Sequence, residues 1–289
     1  MNFIQQEENL SSVFKFNLPN FTKWQNLIDG ISIQEKLIDI SHCVQDENLF
    51  KVNDKKLKHE MTQIFVHQSS CGEGISTTQE KQNIFKTWQK IQNILANEEK
   101  MNHGLLETQL IKDLHYCLMK DVINPDIYTP AGQFSLAPRD CIYKGKTHEY
   151  PQFENEKDWY NVIQGKIDWY NSNLELIKSD LHSISNLEKL FKLISWIFIK
   201  LIELHPFSDG NGRCCRILAA YILTLICPFP CPIYNNIFDL KDNNENYIDS
   251  IILGENGKLE SFCCLIIESV WYSWKFYQNL CSDIPSLKQ

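Results

Sequence analysis

Apolar residues recur along this chain mostly at three- and four-residue steps, the spacing that lines one face of an α-helix. Leu57, Met61, Ile64 and Phe65 form one such stripe, and Ile84, Trp88, Ile91 and Leu95 a second. Leu105, Leu110, Leu114 and Leu118 make a third, and Trp159, Val162, Ile163 and Ile167 a fourth. From Leu187 to Leu204 the apolar positions run almost all the way round, which predicts a helix enclosed by others rather than one with a wet face. A further apolar helix is expected from about Gly212 to Ile226, and a last one from about Leu259 to Leu280. Strand signals are confined to Gly132–Pro151, where Gln133–Phe134, Ile142–Tyr143 and the turn Lys144–Gly145–Lys146 predict a short hairpin. Asn243–Asn246 and Gly254–Gly257 read as loops between C-terminal helices. The expected fold class is mainly α, with one hairpin in the middle. Residues 1–50 carry no motif, and Ser282–Gln289 reads as an untethered tail.

With 289 residues, 43% of them apolar and 16 Phe, 11 Tyr and 7 Trp, the chain can bury a sizeable core, so disordered, collagen-like and coiled-coil readings fail. Its net charge of −8 argues against nucleic acid as a partner. The longest apolar stretch, Ile217–Cys227, contains Thr224 and is closed by Pro228 and Pro230, well short of the ~20 residues a bilayer demands, so no membrane partner is expected. The first residues show neither a basic nor an apolar leader region. The 11 cysteines are odd in number, include the neighbours Cys214–Cys215 and Cys263–Cys264, and show no zinc-type spacing. Free thiols and a cytoplasmic location are the expectation.

Chemistry concentrates between the two most apolar helices, in His205-Pro206-Phe207-Ser208-Asp209-Gly210-Asn211-Gly212-Arg213-Cys214-Cys215-Arg216. Pro206 ends one helix, and the Gly-Asn-Gly turn can aim backbone amides into one concavity, an anion nest. The helix that follows adds its positive N-terminal end. Arg213 and Arg216, three apart, share a face. Asp209 can hold a divalent cation against phosphates. His205 has a side chain suited to taking a proton near neutrality. Lys and Arg total 28, yet only three are arginines, and two of those three stand here. Bidentate phosphate recognition is the task in which lysine cannot replace arginine.

This segment resembles the signature of the Fic (Fido) domain family, H-x-F-x-(D/E)-G-N-G-R-x-x-R, at every fixed position. The resemblance implies a Fic-type helical bundle with a β-hairpin flap, and a protein adenylyltransferase that moves AMP from ATP to a Ser, Thr or Tyr hydroxyl of a target protein, with Mg²⁺. By position, His205 would be the base and Asp209 the metal ligand. Gly210, Asn211 and Gly212 would form the anion hole, and Arg213 and Arg216 would hold the outer phosphates. The flap would span about 141–151, with Thr147 and His148 in its turn region and near nucleotide or target. Tyr247 would stand near the adenine. Relatives often dimerise, so a homodimer is carried as an option.

Ser69, Glu73 and Gly74 fit the family's inhibitory pattern: Ser or Thr, three residues, Glu, then Gly or Asn. In relatives that glutamate pairs with the second signature arginine, here Arg216, and takes the place of the γ-phosphate. The expected organisation is therefore an N-terminal helical region, 1–100, carrying the inhibitory segment 69–74, followed by a Fic core, 101–289, with the signature loop at 205–216. Two other uses stay open. The same site could remove AMP or transfer another nucleotide or phosphate-containing group, or the chain could be a catalytically silent interaction module.

Overall fold

A helix that is apolar on every side has to be surrounded, and the rest of the chain does the surrounding. The computed structural model describes residues 13–20, 30–52, 54–71, 77–99, 102–122, 129–233 and 243–282. Among them are ten α-helices: α1 (Ile33–Gln45), α2 (Glu47–Lys51), α3 (Lys55–Cys71), α4 (Thr78–Asn97), α5 (Thr108–Met119), α6 (Glu156–Ile177), α7 (Ile184–Leu204), α8 (Asn211–Leu223), α9 (Asn243–Glu255) and α10 (Glu260–Ser282). The one sheet among the described residues is a hairpin, β1 (Asp140–Tyr143) and β2 (Lys146–Glu149), between α5 and α6. The fold is mainly α, as the periodicity predicts.

The helix at the centre is α7. It packs against α1, α6, α8, α9 and α10. Leu187, Leu190, Phe191, Leu193 and Ile194 are completely enclosed, and each such side chain contributes roughly 1.5–3 kcal/mol by leaving water. α8 packs against α7 and also touches α4 and α5. The N-terminal helix α4 therefore lies directly on the helix that follows the signature loop.

Two stretches differ from the sequence reading. Within residues 1–50 stands α1, started by a capping box in which Ser32 Oγ accepts from the Glu35 N–H at 3.2 Å while Glu35 Oε2 accepts from the Ser32 N–H at 2.8 Å. Its Ile33, Leu37, Ile40 and Val44 are buried, and it lies on α7 and α10. Asn243–Asn246, read as a loop, is the first turn of α9. That helix continues through Gly254, where a Cβ would come within 2.9 Å of the Ile199 side chain on α7. Glycine there serves a close helix crossing, and the chain turns only at Gly257, with φ 80°.

In the hairpin, Ile142 faces Thr147 and Tyr143 faces Lys146, so the loop is the two residues Lys144 and Gly145. Both have positive φ, 49° and 75°, the backbone of a type I′ turn, whose twist matches that of the strands. Thr147 and His148, expected in the turn, are therefore residues of β2. Phe134, read as strand, is a core residue that meets Trp159 and Phe207 with ring centroids 6.0 and 5.6 Å apart. The expected tail, Ser282–Gln289, lies outside the described residues after Ser282. No helix among the described residues is long and apolar enough to cross a membrane.

Candidate active site

The signature loop is shaped by two left-handed residues. α7 ends at His205, whose φ of 48° and ψ of 57° turn the chain out of the helix; its N–H still bonds to the Leu201 carbonyl at 3.1 Å. A non-glycine residue held there costs on the order of 1–3 kcal/mol and survives only when its surroundings over-determine it. At the other end Gly210, φ 76°, is the N-cap of α8. A Cβ on Gly210 would lie 2.5 Å from Met119 Sδ and 3.3 Å from His115 Nε2, so the position excludes a side chain.

The over-determination is visible in the hydrogen bonds. Asn211 spans the loop from inside: its Nδ2 donates to the Phe207 carbonyl at 2.8 Å and its Oδ1 accepts from the Phe207 N–H at 3.0 Å. The side-chain amide is spent on the loop itself, and the residue is 3% exposed. What Asn211 offers an anion is its main-chain N–H at the start of α8. The first intrahelical bond into α8 is made by the Cys214 N–H to the Gly210 carbonyl, 2.9 Å. The amides of residues 211–213 precede it, the positive tip that every helix start provides.

His115 on α5 is the residue that sequence reasoning missed. Its ring lies flat on Phe207, centroids 3.7 Å apart and planes 3° from parallel. Its Nδ1 accepts from the Gly132 N–H at 2.9 Å, so the proton sits on Nε2, which donates to the Asp209 carbonyl at 2.8 Å. Burial lowers its pKa to about 4, against the opposing pull of that carbonyl. The signal was a histidine directly beside Leu114 on an apolar helical face.

Beyond the loop the charges are already engaged. Asp209 Oδ1 accepts from the Gly210 N–H at 2.6 Å and its Oδ2 from Arg213 Nη2 at 3.1 Å. Arg213 Nη1 donates to Glu80 Oε1 at 2.8 Å, with the guanidinium side chain 6% exposed and that of Glu80 15%. Glu80 stands in the first turn of α4, and its other oxygen accepts from the Thr77 hydroxyl at 2.5 Å. The Thr-x-x-Glu spacing announces a helix start in the sequence, but nothing in it announces the arginine 133 residues away. Arg216, 3% exposed, donates from Nη1 to the Tyr247 hydroxyl at 3.2 Å, and its guanidinium carbon lies 5.8 Å from the centre of that ring.

The structure thus gathers His205, Asp209, Gly210, Asn211, Gly212, Arg213, Arg216 and Tyr247 at one end of α8. Thr147 and His148 stand on the exposed β2; His148 Nε2 is 3.9 Å from Glu255 Oε2, and its ring meets Tyr150 edge-on at 4.9 Å. The imidazole of His205 is largely covered: Tyr150 stacks on it with centroids 3.8 Å apart and planes 15° from parallel. Its Nδ1 is enclosed without a well-aligned hydrogen-bond partner. Burial lowers its pKa to about 4, offset in part by the Ile202 carbonyl, so the ring is neutral near pH 7. Ser69 lies near the end of α3, 4% exposed, while Glu73 and Gly74 lie outside the described residues.

This loop on this helical frame defines a class, and comparison with known proteins agrees. The model of the Fic/DOC family matches residues 105–223. A Fido domain-containing protein of Dictyostelium discoideum is 31% identical over 128 residues, covering 43% of this chain and 77% of that protein. The ribonucleoside-diphosphate reductase small chain of Ostreid herpesvirus 1 is 28% identical over 212 residues, 72% of this chain, and this chain spans 32% of that longer protein. A Fic domain containing signalling protein from Bacteroides thetaiotaomicron superposes with a TM-score of 0.61 at 16% identity, over 86% of this chain and 97% of its own. The chain belongs to the Fic/DOC family.

Two predictions follow from the loop. Gly210→Ala forces a Cβ onto Met119 and a positive φ onto alanine, and it should lower unfolding free energy by about 1–3 kcal/mol in urea titrations. His115 is neutral in the fold down to about pH 4, whereas the unfolded chain takes up that proton near pH 6.5. Between these values the unfolded state binds more protons, so stability present above pH 6.5 is lost as pH falls toward 4, on the order of 3 kcal/mol for this one group. Denaturant midpoints measured across that window should show the loss, and His115→Asn should shrink it.

Proposed function

We propose that the chain is a protein adenylyltransferase, taking ATP as donor and the hydroxyl of a Ser, Thr or Tyr side chain on a target protein as acceptor. Members of the family are typically transferases acting on proteins. The observation that carries the finer reading is the convergence, at one helix start, of a neutral imidazole, a helix N-terminus, two buried guanidinium groups and a carboxylate. Phosphoryl-group transfer asks a protein for positioning and charge neutralisation more than for covalent chemistry of its own.

In this mechanism the acceptor oxygen attacks the α-phosphorus while the bond from that phosphorus to the α–β bridging oxygen breaks, and pyrophosphate departs. The proton of the hydroxyl passes to His205, which is uncharged and therefore free to receive it. The amides at the start of α8 meet non-bridging oxygens, and Arg213 and Arg216 take the charge of the leaving group. Asp209 suits Mg²⁺: its carboxylate is 32% exposed, and such ions are commonly held by one or two carboxylates together with substrate phosphates. Bound there, Mg²⁺ would neutralise phosphate charge.

Both guanidinium contacts bear on restraint. Glu80 already occupies one arm of Arg213 with a carboxylate, the charge and shape of a phosphate edge, so a triphosphate and Glu80 compete for that arm. Glu73, by resemblance the residue opposite Arg216, would add a second restraint from the segment that joins α3 to α4.

Incubation with ATP labelled at the α-phosphate should label protein, whereas label at the γ-phosphate should appear only in released pyrophosphate. His205→Ala should lower the protein label by at least ~10²-fold, and Glu73→Gly should raise it; transfer of γ-label to protein would overturn the adenylyl assignment. Glu80→Gln should cost about 1–3 kcal/mol of stability, because Arg213 loses a charged partner, and should tighten ATP binding in calorimetry. Unchanged affinity would show that Glu80 does not compete with phosphate.

A further inference from the structure

Tyr150 is a part of the site that no signature position predicts. It follows β2 directly, and its ring covers one face of the His205 imidazole at 3.8 Å. Two hydrogen bonds hold it there, and a third residue ties the hairpin base. Its N–H donates to the Arg139 carbonyl at 3.0 Å. Its hydroxyl donates across the hairpin to Cys141 Sγ at 3.2 Å. Arg139, the third arginine of the chain, is 6% exposed and ties the hairpin stems together, donating to the carbonyls of Ser135 at 2.9 Å, Ala137 at 3.1 Å and Pro151. Its guanidinium carbon lies 4.9 Å from the centre of the Trp159 ring, which anchors the tie to α6.

Beyond that base the hairpin is almost wholly exposed, with Ile142 at 74%. Its tip touches the body through polar contacts to α9. Tyr143 Oη donates to Asp249 Oδ1 at 3.1 Å, and Lys144 Nζ reaches both oxygens of that carboxylate at 3.0 Å. Ion pairs this exposed bind weakly. The hairpin is therefore a lever with a fixed base and a lightly held tip, and Tyr150 lies between the base and the imidazole.

We propose that Tyr150 is a positioning residue for His205: stacked on the ring, it fixes the imidazole plane and shields that face from water, so that a hydroxyl is met in plane at the ring edge. This rests on the reading of His205 as the base. An imidazole nitrogen accepts a proton along the ring plane, so any rotation of the ring moves the lone pair off the acceptor, and a displacement of about 1 Å in a reacting group can cost ~10²-fold in rate. An aromatic face held nearly parallel at 3.8 Å removes that rotation.

The test compares Tyr150→Phe, Tyr150→Leu, Tyr150→Ala and Asp249→Ala in two assays. The first is the rate at which diethyl pyrocarbonate modifies His205, followed by peptide mass spectrometry; it needs no enzymatic activity. Tyr150→Phe should react as the parent does, Tyr150→Ala roughly 10-fold faster, and Asp249→Ala at an intermediate rate, as expected when a shielding ring is removed or loosened. The second is auto-modification with α-labelled ATP, run in the Glu73→Gly chain. Tyr150→Ala should lower the maximal rate by about 10–100-fold, leave the half-saturating ATP concentration within about twofold, and be rescued by Phe but not by Leu. Unaltered His205 reactivity in Tyr150→Ala overturns the shielding, and an unaltered maximal rate overturns the positioning. Should the parent transfer no label from any nucleotide, the proposed function and the positioning role both fall, while the reactivity ratio still decides whether Tyr150 covers the ring.

Discussion

The loop between α7 and α8 depends on one buried exchange, the two hydrogen bonds between the Asn211 side chain and the Phe207 main chain. They close a five-residue circuit in which no regular secondary structure satisfies the backbone, so the amide supplies what a helix or sheet would otherwise provide. Around that circuit His115 adds a donor to the Asp209 carbonyl and a flat face to Phe207. With those contacts made, the left-handed backbone at His205 and Gly210 is sustainable, and the side chains of His205 and Asp209 project from fixed points. A loop held this firmly can act as a binding surface without being ordered at the moment of binding.

Charge in the site is arranged as a relay rather than as a set of waiting cations. Glu80, Arg213 and Asp209 form a line in which each carboxylate holds one arm of the same guanidinium. Because the arginine is buried, an unpartnered state would be costly, and the fold supplies internal anions in the absence of others. The consequence is a coupling between the N-terminal helices and the signature loop: whatever draws Arg213 toward a new anion loosens α4 from α8, and the reverse holds with the same free energy.

Covering is the other theme. His205 is enclosed by an aromatic ring that arrives on an exposed hairpin, and the enclosure itself keeps the imidazole neutral. An imidazole that is already uncharged can accept a proton without first losing one.

Much of this was legible in the residues. Periods of three and four placed the helices because burial of an apolar stripe is a local property of spacing, and the twelve residues from His205 to Arg216 carried their chemistry in their order. α1 is equally legible through its capping box and the Ile33, Leu37, Ile40, Val44 stripe, although it carries no catalytic motif. The first turn of α9 was masked by asparagines, which are weak helix formers that tertiary packing overrides. What the sequence could not decide is which distant side chains meet. The pairing of Glu80 with Arg213, of His115 with Phe207 and of Tyr150 with His205 joins residues that are 133, 92 and 55 positions apart. Such meetings are set by how whole helices cross, and no local spacing encodes a crossing.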